Sequence, residues 1–271
     1  MMSKLFYQEH LDQSRKIASL LGIVLLSALV SLGITATGIP AISTVAQLVI
    51  FIGAIAAPML TLLMVAVHYW TSMYTDTGYF THQIPATAAQ LFWAKVLYAL
   101  CTLIVSLIVS AISILIYVIA IGWRIKMSLR DSLNSAYDLI SATPSALIII
   151  GLIAMLLNCI SVIIGVAGTI SYCAQDKYIR HGFTAPAIGL VVYYILYQVT
   201  SLPAMLLIPG SIKLSDGTFT WQIMLTDFID AVNAGSQPSI IGMGIIFSST
   251  ALAALAAWLG IRSLRNHLSL R

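Results

Sequence analysis

Long apolar runs separated by short polar segments dominate this sequence. Six runs are long enough to cross a membrane, and they cover residues 17–38, 45–70, 91–121, 145–172, 185–208 and 239–261. A hydrocarbon core of about 30 Å is spanned by a helix of about 20 apolar residues. The pattern therefore predicts an all-α membrane protein with six transmembrane helices, organised as a single domain over residues 1–271.

The composition points to the same class. Hydrophobic residues make up 60% of the 271 residues and charged residues only 8%, whereas soluble domains carry about 25% charged residues. The mean hydropathy is +0.99. The first apolar run is too long, and too soon followed by a second, for a cleaved signal peptide. We therefore expect it to be retained in a multi-pass protein.

The distribution of positive charge predicts the orientation in the membrane. With both termini in the cytoplasm, nine of the 13 Lys and Arg residues fall on the cytoplasmic side, namely Lys4, Arg15, Lys16, Lys95, Lys177, Arg180, Arg262, Arg265 and Arg271. The other four, Arg124, Lys126, Arg130 and Lys213, fall outside. Because cytoplasmic loops are enriched in Lys and Arg, we expect cytoplasmic termini. The net charge of +4 follows from this bias and implies no nucleic-acid partner.

Two connections on the predicted outer side have the pattern of short amphipathic helices. Ser128 and Asp131 form a helix-capping pattern ahead of a helical apolar face before the fourth run. Within the external segment 209–238, residues 220–233 have the same pattern of an amphipathic helix before the sixth run. Interfacial anchoring and a part in an outward exit both fit. If the second helix packs on the spans, Trp221→Ala and Phe228→Ala should each lower the free energy of unfolding by up to about 1.5–3 kcal/mol.

The polar segment 71–90, between the second and third runs, has the pattern of a folded connection. Helical spacing carries the second span beyond Trp70, until Gly78 permits a break. Pro85 ends any helix that follows, and Thr87 with Gln90 forms a capping box for the third span. The pattern predicts a helix, a turn and a capped helix. An ordinary interfacial connection with aromatic side chains is the alternative.

No motif for catalysis, metal binding or nucleotide binding is present. The sequence contains no Walker A loop and no hydrolase motif. We expect packing roles for the cysteines and no metal-binding role for three scattered histidines, namely Cys101, Cys159, Cys173, His68, His82 and His181. No charged residue lies within a span interior, which disfavours an ion-coupled carrier. Any energy for transport must therefore come from another subunit at the cytoplasmic surface.

Residues 68–106, HYWTSMYTDTGYFTHQIPATAAQLFWAKVLYALCTLIVS, resemble the loop and span of bacterial ATP-binding-cassette (ABC) transporter permeases of the ABC type 2 membrane-domain family. The matching residues are Asp76, Gly78, Tyr79, Phe80, Thr81, Ile84, Pro85, Gln90, Leu91 and Lys95. The six-span plan extends the resemblance across nearly the whole chain. Thr75 and Thr77 depart from the family pattern, which has more charge there.

The resemblance implies a permease subunit rather than an enzyme. Two six-helix copies, identical or paralogous, would surround a pathway in the bacterial inner membrane and export an amphipathic or hydrophobic peptide, lipid or drug. Separate ABC ATPase subunits would bind ATP and Mg and grip the cytoplasmic coupling loop 71–90. The implied coupling residues are Asp76, Gly78, Tyr79, Phe80, Thr81, Ile84 and Pro85. Residues 1–16 would form an N-terminal interfacial segment, although a frayed end also fits. A non-transporting sensor or scaffold and a stand-alone channel or carrier remain alternatives.

Overall fold

The computed structural model describes residues 2–75, 77–175, 177–178 and 182–266, without the side chains at positions 82 and 139. Four residues used above lie outside this part of the chain, namely Asp76, Arg180, His181 and Arg271. The described elements are α1 Met2–Thr35, α2 Pro40–Tyr74, α3 Gly78–Gln83, α4 Ala88–Arg124, α5 Leu129–Ala142, α6 Ser145–Cys173, α7 Thr184–Leu207, β1 Ser211–Lys213, β2 Phe219–Thr220, α8 Met224–Ala234, β3 Ile240–Gly242 and α9 Gly244–Asn266.

Six of these helices, α1, α2, α4, α6, α7 and α9, are long and apolar enough to cross a membrane. The prediction of a six-helix, multi-pass membrane protein is thereby confirmed. Helix α1 runs without a break through residue 16 and so joins the predicted N-terminal segment to the first apolar run. Its buried positions recur every four residues from Leu5 through Glu9 and Gln13 to Ile17. One packed face therefore continues through the polar residues into the apolar run.

The start of the sixth span also differs from the prediction. Helix α9 begins at Gly244 instead of residue 239, and Ile240–Gly242 forms β3 of a small antiparallel sheet with the order β2-β1-β3. A short apolar run cannot distinguish a strand from a helix. Asp227 accepts hydrogen bonds from the Ser239 amide and hydroxyl, both at 2.7 Å. The bond from the Ser239 hydroxyl, together with the bonds from the Ser239 and Ile240 amides, holds the Asp227 pKa below its ordinary value.

Both predicted amphipathic segments are helical, but the second is shorter than expected. The Ser128 hydroxyl and the Asp131 amide and carboxylate form the predicted cap of α5. Helix α8 begins at Met224, so Trp221 lies before it and is 77% exposed. The residues that α8 buries are Met224 and Ala231. The packing on which the expected stability losses depend is therefore not seen for Trp221, and Phe228 is also exposed, at 41%.

The chain divides into two compact units, one of Met1–Tyr69 with Trp93–Ala142 and one of Trp70–Phe92 with Thr143–Arg271. The first unit is held by close contacts between α2 and α4. Gln47 donates a hydrogen bond to the Ala120 carbonyl at 3.1 Å, and Ser110 donates to the Ala54 carbonyl at 2.6 Å. These polar bonds supplement an apolar cluster around Ile50.

In the second unit, α6 and α9 approach until their backbones touch. A methyl group added at Gly168 would overlap the Ala256 backbone, and one at Gly260 would lie 2.7 Å from the Gly168 carbonyl oxygen. Ser263 donates a hydrogen bond to the Ser171 carbonyl at 3.0 Å. Small residues allow this approach, which is typical of helix packing in membranes.

Gly168→Ala is expected to destabilise the second unit. The added methyl forces α6 away from α9, and overpacking of this kind costs about 1–3 kcal/mol. The matched control is Gly151→Ala on the same helix, because a methyl there meets nothing within 4 Å. Thermal unfolding of both variants in detergent tests this expectation. Equal melting temperatures for the two variants would show that the α6–α9 contact is looser than described.

Candidate functional site

The connection between α2 and α4 contains an additional short helix. Helix α2 ends at Tyr74, α3 covers Gly78–Gln83, and α4 begins at Ala88. The predicted helix, turn and capped helix are therefore present, but Gly78 begins a helix instead of only permitting a break. Ile84 caps α3 with φ −67° and ψ 131°, the extended conformation that a residue before proline favours. Pro85 thus separates α3 from α4, as predicted.

Threonine hydroxyls fasten this connection to the last turns of α2. Thr75 and Thr77 both donate to the Thr71 carbonyl, at 2.6 and 2.7 Å. Thr81 donates to the Ser72 carbonyl at 2.8 Å. Carbonyls at a helix C-terminus have no partner within the helix, and these hydroxyls supply one. The two threonines that depart from the family pattern therefore have a structural role as capping residues.

The start of α4 is fixed by the predicted capping box. The Thr87 amide donates to Gln90 Oε1 at 3.1 Å, and the Gln90 amide donates to Thr87 Oγ1 at 3.3 Å. Two amides that lack partners within the helix are thus satisfied reciprocally. Both ends of the connection are held by side chains of the connection itself.

The connection is buried at its base and exposed at its tip. Met73 and Tyr74 are buried at the end of α2, and the Trp70 ring packs on the Phe183 ring with centroids 6.0 Å apart. At the tip, Tyr79 is 51% exposed and Phe80 is 73% exposed. Burying such rings contributes more than burying most side chains. We name this α3 surface, with its two exposed rings, the aromatic tip.

The other predicted coupling residues differ in how much surface they contribute to the connection. Gly78 is buried, Thr81 and Ile84 are half-buried, and Pro85 is exposed. Asp76 lies outside the described residues. The sequence TGYFTHQIPATAAQ, residues 77–90, contains no Asp, Glu, Lys or Arg. A partner docked on this segment would therefore meet aromatic, hydroxyl and amide groups.

A charged cluster in the first unit was not predicted from the sequence. The Lys95 ammonium on α4 is ion-paired with the Glu9 carboxylate on α1, and both side chains are buried. His68 Nε2 on α2 lies 3.2 Å from the second carboxylate oxygen of Glu9. Gln13 donates to that oxygen at 3.4 Å. We name Glu9, His68 and Lys95 the charged cluster.

Glu9 and Lys95 are buried charges within helices, but they lie outside or near the ends of the apolar runs, so the prediction of uncharged span interiors is not contradicted. Glu9 lies outside the first apolar run but inside α1, and Lys95 lies inside α4, near its start. A buried charge is tolerated when a partner of opposite sign is in contact with it. The one signal in the sequence was the four-residue spacing of Leu5, Glu9, Gln13 and Ile17, which places a carboxylate on a packed face.

Across the part of the chain that the structure describes, no three His, Cys, Asp or Glu side chains are grouped as metal ligands. The charged cluster contains a single carboxylate and one imidazole, so its arrangement suits an ion pair between helices. Comparisons with protein-family models, curated proteins and solved structures find no match to this chain.

Proposed function

We propose that this chain is the permease subunit of an ABC transporter and that segment 71–90 is its cytoplasmic coupling loop. The observation that carries the proposal is the aromatic tip. Phe80 and Tyr79 project from a short helix that the Thr81 hydroxyl fastens to α2, and the Thr87–Gln90 box fixes the start of the helix that follows. Exposed aromatic residues on a rigid support are typical anchors of protein interfaces.

The chemistry of the tip favours a protein partner with an apolar pocket. Residues 77–90 carry no Asp, Glu, Lys or Arg, so attraction between charges contributes little there. An aromatic side chain that enters a pocket supplies affinity through burial of its ring. In this proposal the partner is an ABC ATPase, which binds ATP and Mg itself, and Asp76, Gly78, Tyr79, Phe80, Thr81, Ile84 and Pro85 form the coupling site.

The remaining parts of the proposal concern assembly, orientation and cargo. Both termini are cytoplasmic, following the Lys and Arg distribution, and α5 and α8 lie on the outer surface of a bacterial inner membrane. Two permease copies, identical or paralogous, combine with two ATPase chains. The assembly exports an amphipathic or hydrophobic molecule. ATP-driven closure of the ATPases shifts the spans between two states.

A single cysteine at the tip tests the proposal. In a variant without the three native cysteines, Phe80→Cys is expected to cross-link to an ABC ATPase in native membranes, because Phe80 is 73% exposed on α3. The control is Trp221→Cys, a similarly exposed position in the connection before α8. Mass spectrometry identifies the linked chain. A Phe80→Cys protein that links only to lipid, or to no ATPase, contradicts the proposal.

A carrier that works without an ATPase is the second candidate, and the charged cluster is the observation that favours it. Buried ionisable residues in membrane helices often mark ion or proton pathways. Cargo flux into vesicles that contain the purified chain alone, driven by a pH gradient and abolished in Glu9→Gln, would support this candidate. Flux that requires ATP and a second protein would support the first.

A further inference from the structure

Helices α6, α7 and α9 of the second unit enclose a groove of about 490 Å³. Its walls are mostly apolar, with Tyr172 from α6, Val192 and Leu196 from α7, and Leu255 and Leu259 from α9. The volume is within the range of about 300–1,000 Å³ that is usual for sites of small ligands. The lining residues described here include no acidic side chain.

Small residues bring the three helices into close contact beside the groove. Helix α7 contacts α6 at Gly189, where an added methyl would overlap the Cys173 sulfur, and at the Tyr193 ring, which lies against Gly165. Helix α9 contacts α6 through Gly168. A methyl group at any of these glycines would collide with the neighbouring helix, so the glycines permit the close contacts beside the groove. Val192 and Leu255 line the groove and remain about half exposed, at 50% and 52%.

The groove has the depth of one membrane leaflet. On α7 its lining extends from Thr184 to Leu196, and twelve residues at 1.5 Å each give about 18 Å. Half of a 30 Å hydrocarbon core is about 15 Å. A single acyl chain that enters at the Thr184 end would therefore be accommodated along its length.

Cationic side chains lie at that same end. Tyr178 lines the groove, and the Lys177 ammonium lies 5.5 Å from the centre of its ring. On α9, Arg262 follows Leu259 by one helical turn and lies over the Trp258 ring at 5.4 Å. The bond from Ser263 to Ser171 places this part of α9 beside the end of α6.

We propose that the groove is a binding site for one acyl chain of an anionic membrane lipid, whose headgroup lies against Lys177 and Arg262. The apolar walls bury the chain, and each cation near the membrane surface attracts an anionic headgroup. The site is distinct from the aromatic tip and is not assigned to the transported cargo. It gives the second unit a preference for anionic over zwitterionic lipid.

Photolabelling of the full-length chain tests the site. The protein is reconstituted in phosphatidylcholine vesicles with a trace of phosphatidylglycerol that carries a diazirine halfway along one acyl chain. A phosphatidylcholine analogue with the same diazirine is the comparison. Label from the anionic probe is expected in peptides around residues 188–196 and 252–259, in preference to other lipid-facing segments.

Two kinds of variant separate the chain site from the headgroup site. Val192→Trp fills the groove and is expected to lower labelling there roughly tenfold, a change equivalent to about 1.4 kcal/mol. Its control is Val191→Trp, since Val191 is 58% exposed and does not line the groove.

Lys177→Gln is expected to lower the preference for the anionic probe roughly fivefold, whereas Lys213→Gln leaves it unchanged. If Val192→Trp fails to fold, Leu255→Trp is the second variant whose ring fills the groove.

Three results would overturn the proposal. Labelling that is equal on all lipid-facing helices, and unaffected by both filling variants, shows that the groove is ordinary lipid-exposed surface. Equal labelling by the two probes in the native chain removes the headgroup preference. Groove peptides that become labelled only when the chain is diluted to a monomer show that a second copy covers the groove.

Discussion

Removal of either charge of the Glu9–Lys95 pair is expected to lower the free energy of unfolding by about 3–5 kcal/mol, because the remaining charge stays buried without its partner. The Lys95 side chain is only 5% exposed and that of Glu9 12%. The pair joins α1 to α4, and His68 adds α2. The variants are Glu9→Gln and Lys95→Met, measured by reversible unfolding in mixed micelles.

The double variant Glu9→Gln/Lys95→Met makes the test specific to the pair. It removes both charges, so its loss is expected to be smaller than the sum of the two single losses. Lys16→Met is the control, because Lys16 lies on α1, as Glu9 does, and is exposed. Additive losses, or a Glu9→Gln protein as stable as the native chain, would show that the two residues do not stabilise each other.

The second large effect is expected at the aromatic tip. The variant Tyr79→Ala/Phe80→Ala should keep its melting temperature, because both rings are mostly exposed, and should lose its ATPase partner. Each anchor of an interface typically contributes at least about 2 kcal/mol, which is roughly thirtyfold in affinity. Co-purification of the ATPase from native membranes and ATP-dependent cargo transport are the measurements. Both are expected to fall close to background.

Two further variants separate loss of contact from loss of shape. Trp221→Ala removes a ring that is 77% exposed in another connection and should leave ATPase binding unchanged. Thr81→Val removes the hydrogen bond to the Ser72 carbonyl but leaves both rings in place, so a partial loss of binding is expected. If the double alanine variant binds the ATPase and transports as the native chain does, segment 71–90 is an interfacial connection and the permease proposal fails.

Features that depend on neighbouring residues could be predicted from the sequence. The capping pairs Thr87–Gln90 and Ser128–Asp131 join residues three apart, and both form as expected. The six spanning helices follow from run length alone. Helix α3 could not be predicted because its glycine favours a turn, and the hydroxyl of Thr81 reaches back nine residues to α2.

Features that depend on distant residues could not be predicted in this way. Glu9 and Lys95 are separated by 86 positions, and no spacing rule relates them. The strand Ile240–Gly242 belongs to an apolar run that fits a helix equally well, and its pairing with β1 decides between the two. In both cases the tertiary partner, and not the local pattern, determines the structure.

The small sheet restricts how the last helix can move. Only Met243 separates β3 from α9, and Ile241 pairs with Ile212 in the ladder between β3 and β1. Movement of α9 that pulls β3 along its strand by the 3.3 Å rise of one residue would break this pairing and turn each strand side chain to the opposite face. Tilting α9 about Met243 leaves the ladder intact. Tilting about Met243 is therefore the movement of α9 that the sheet permits, and movement that pulls on β3 is opposed by the sheet's hydrogen bonds.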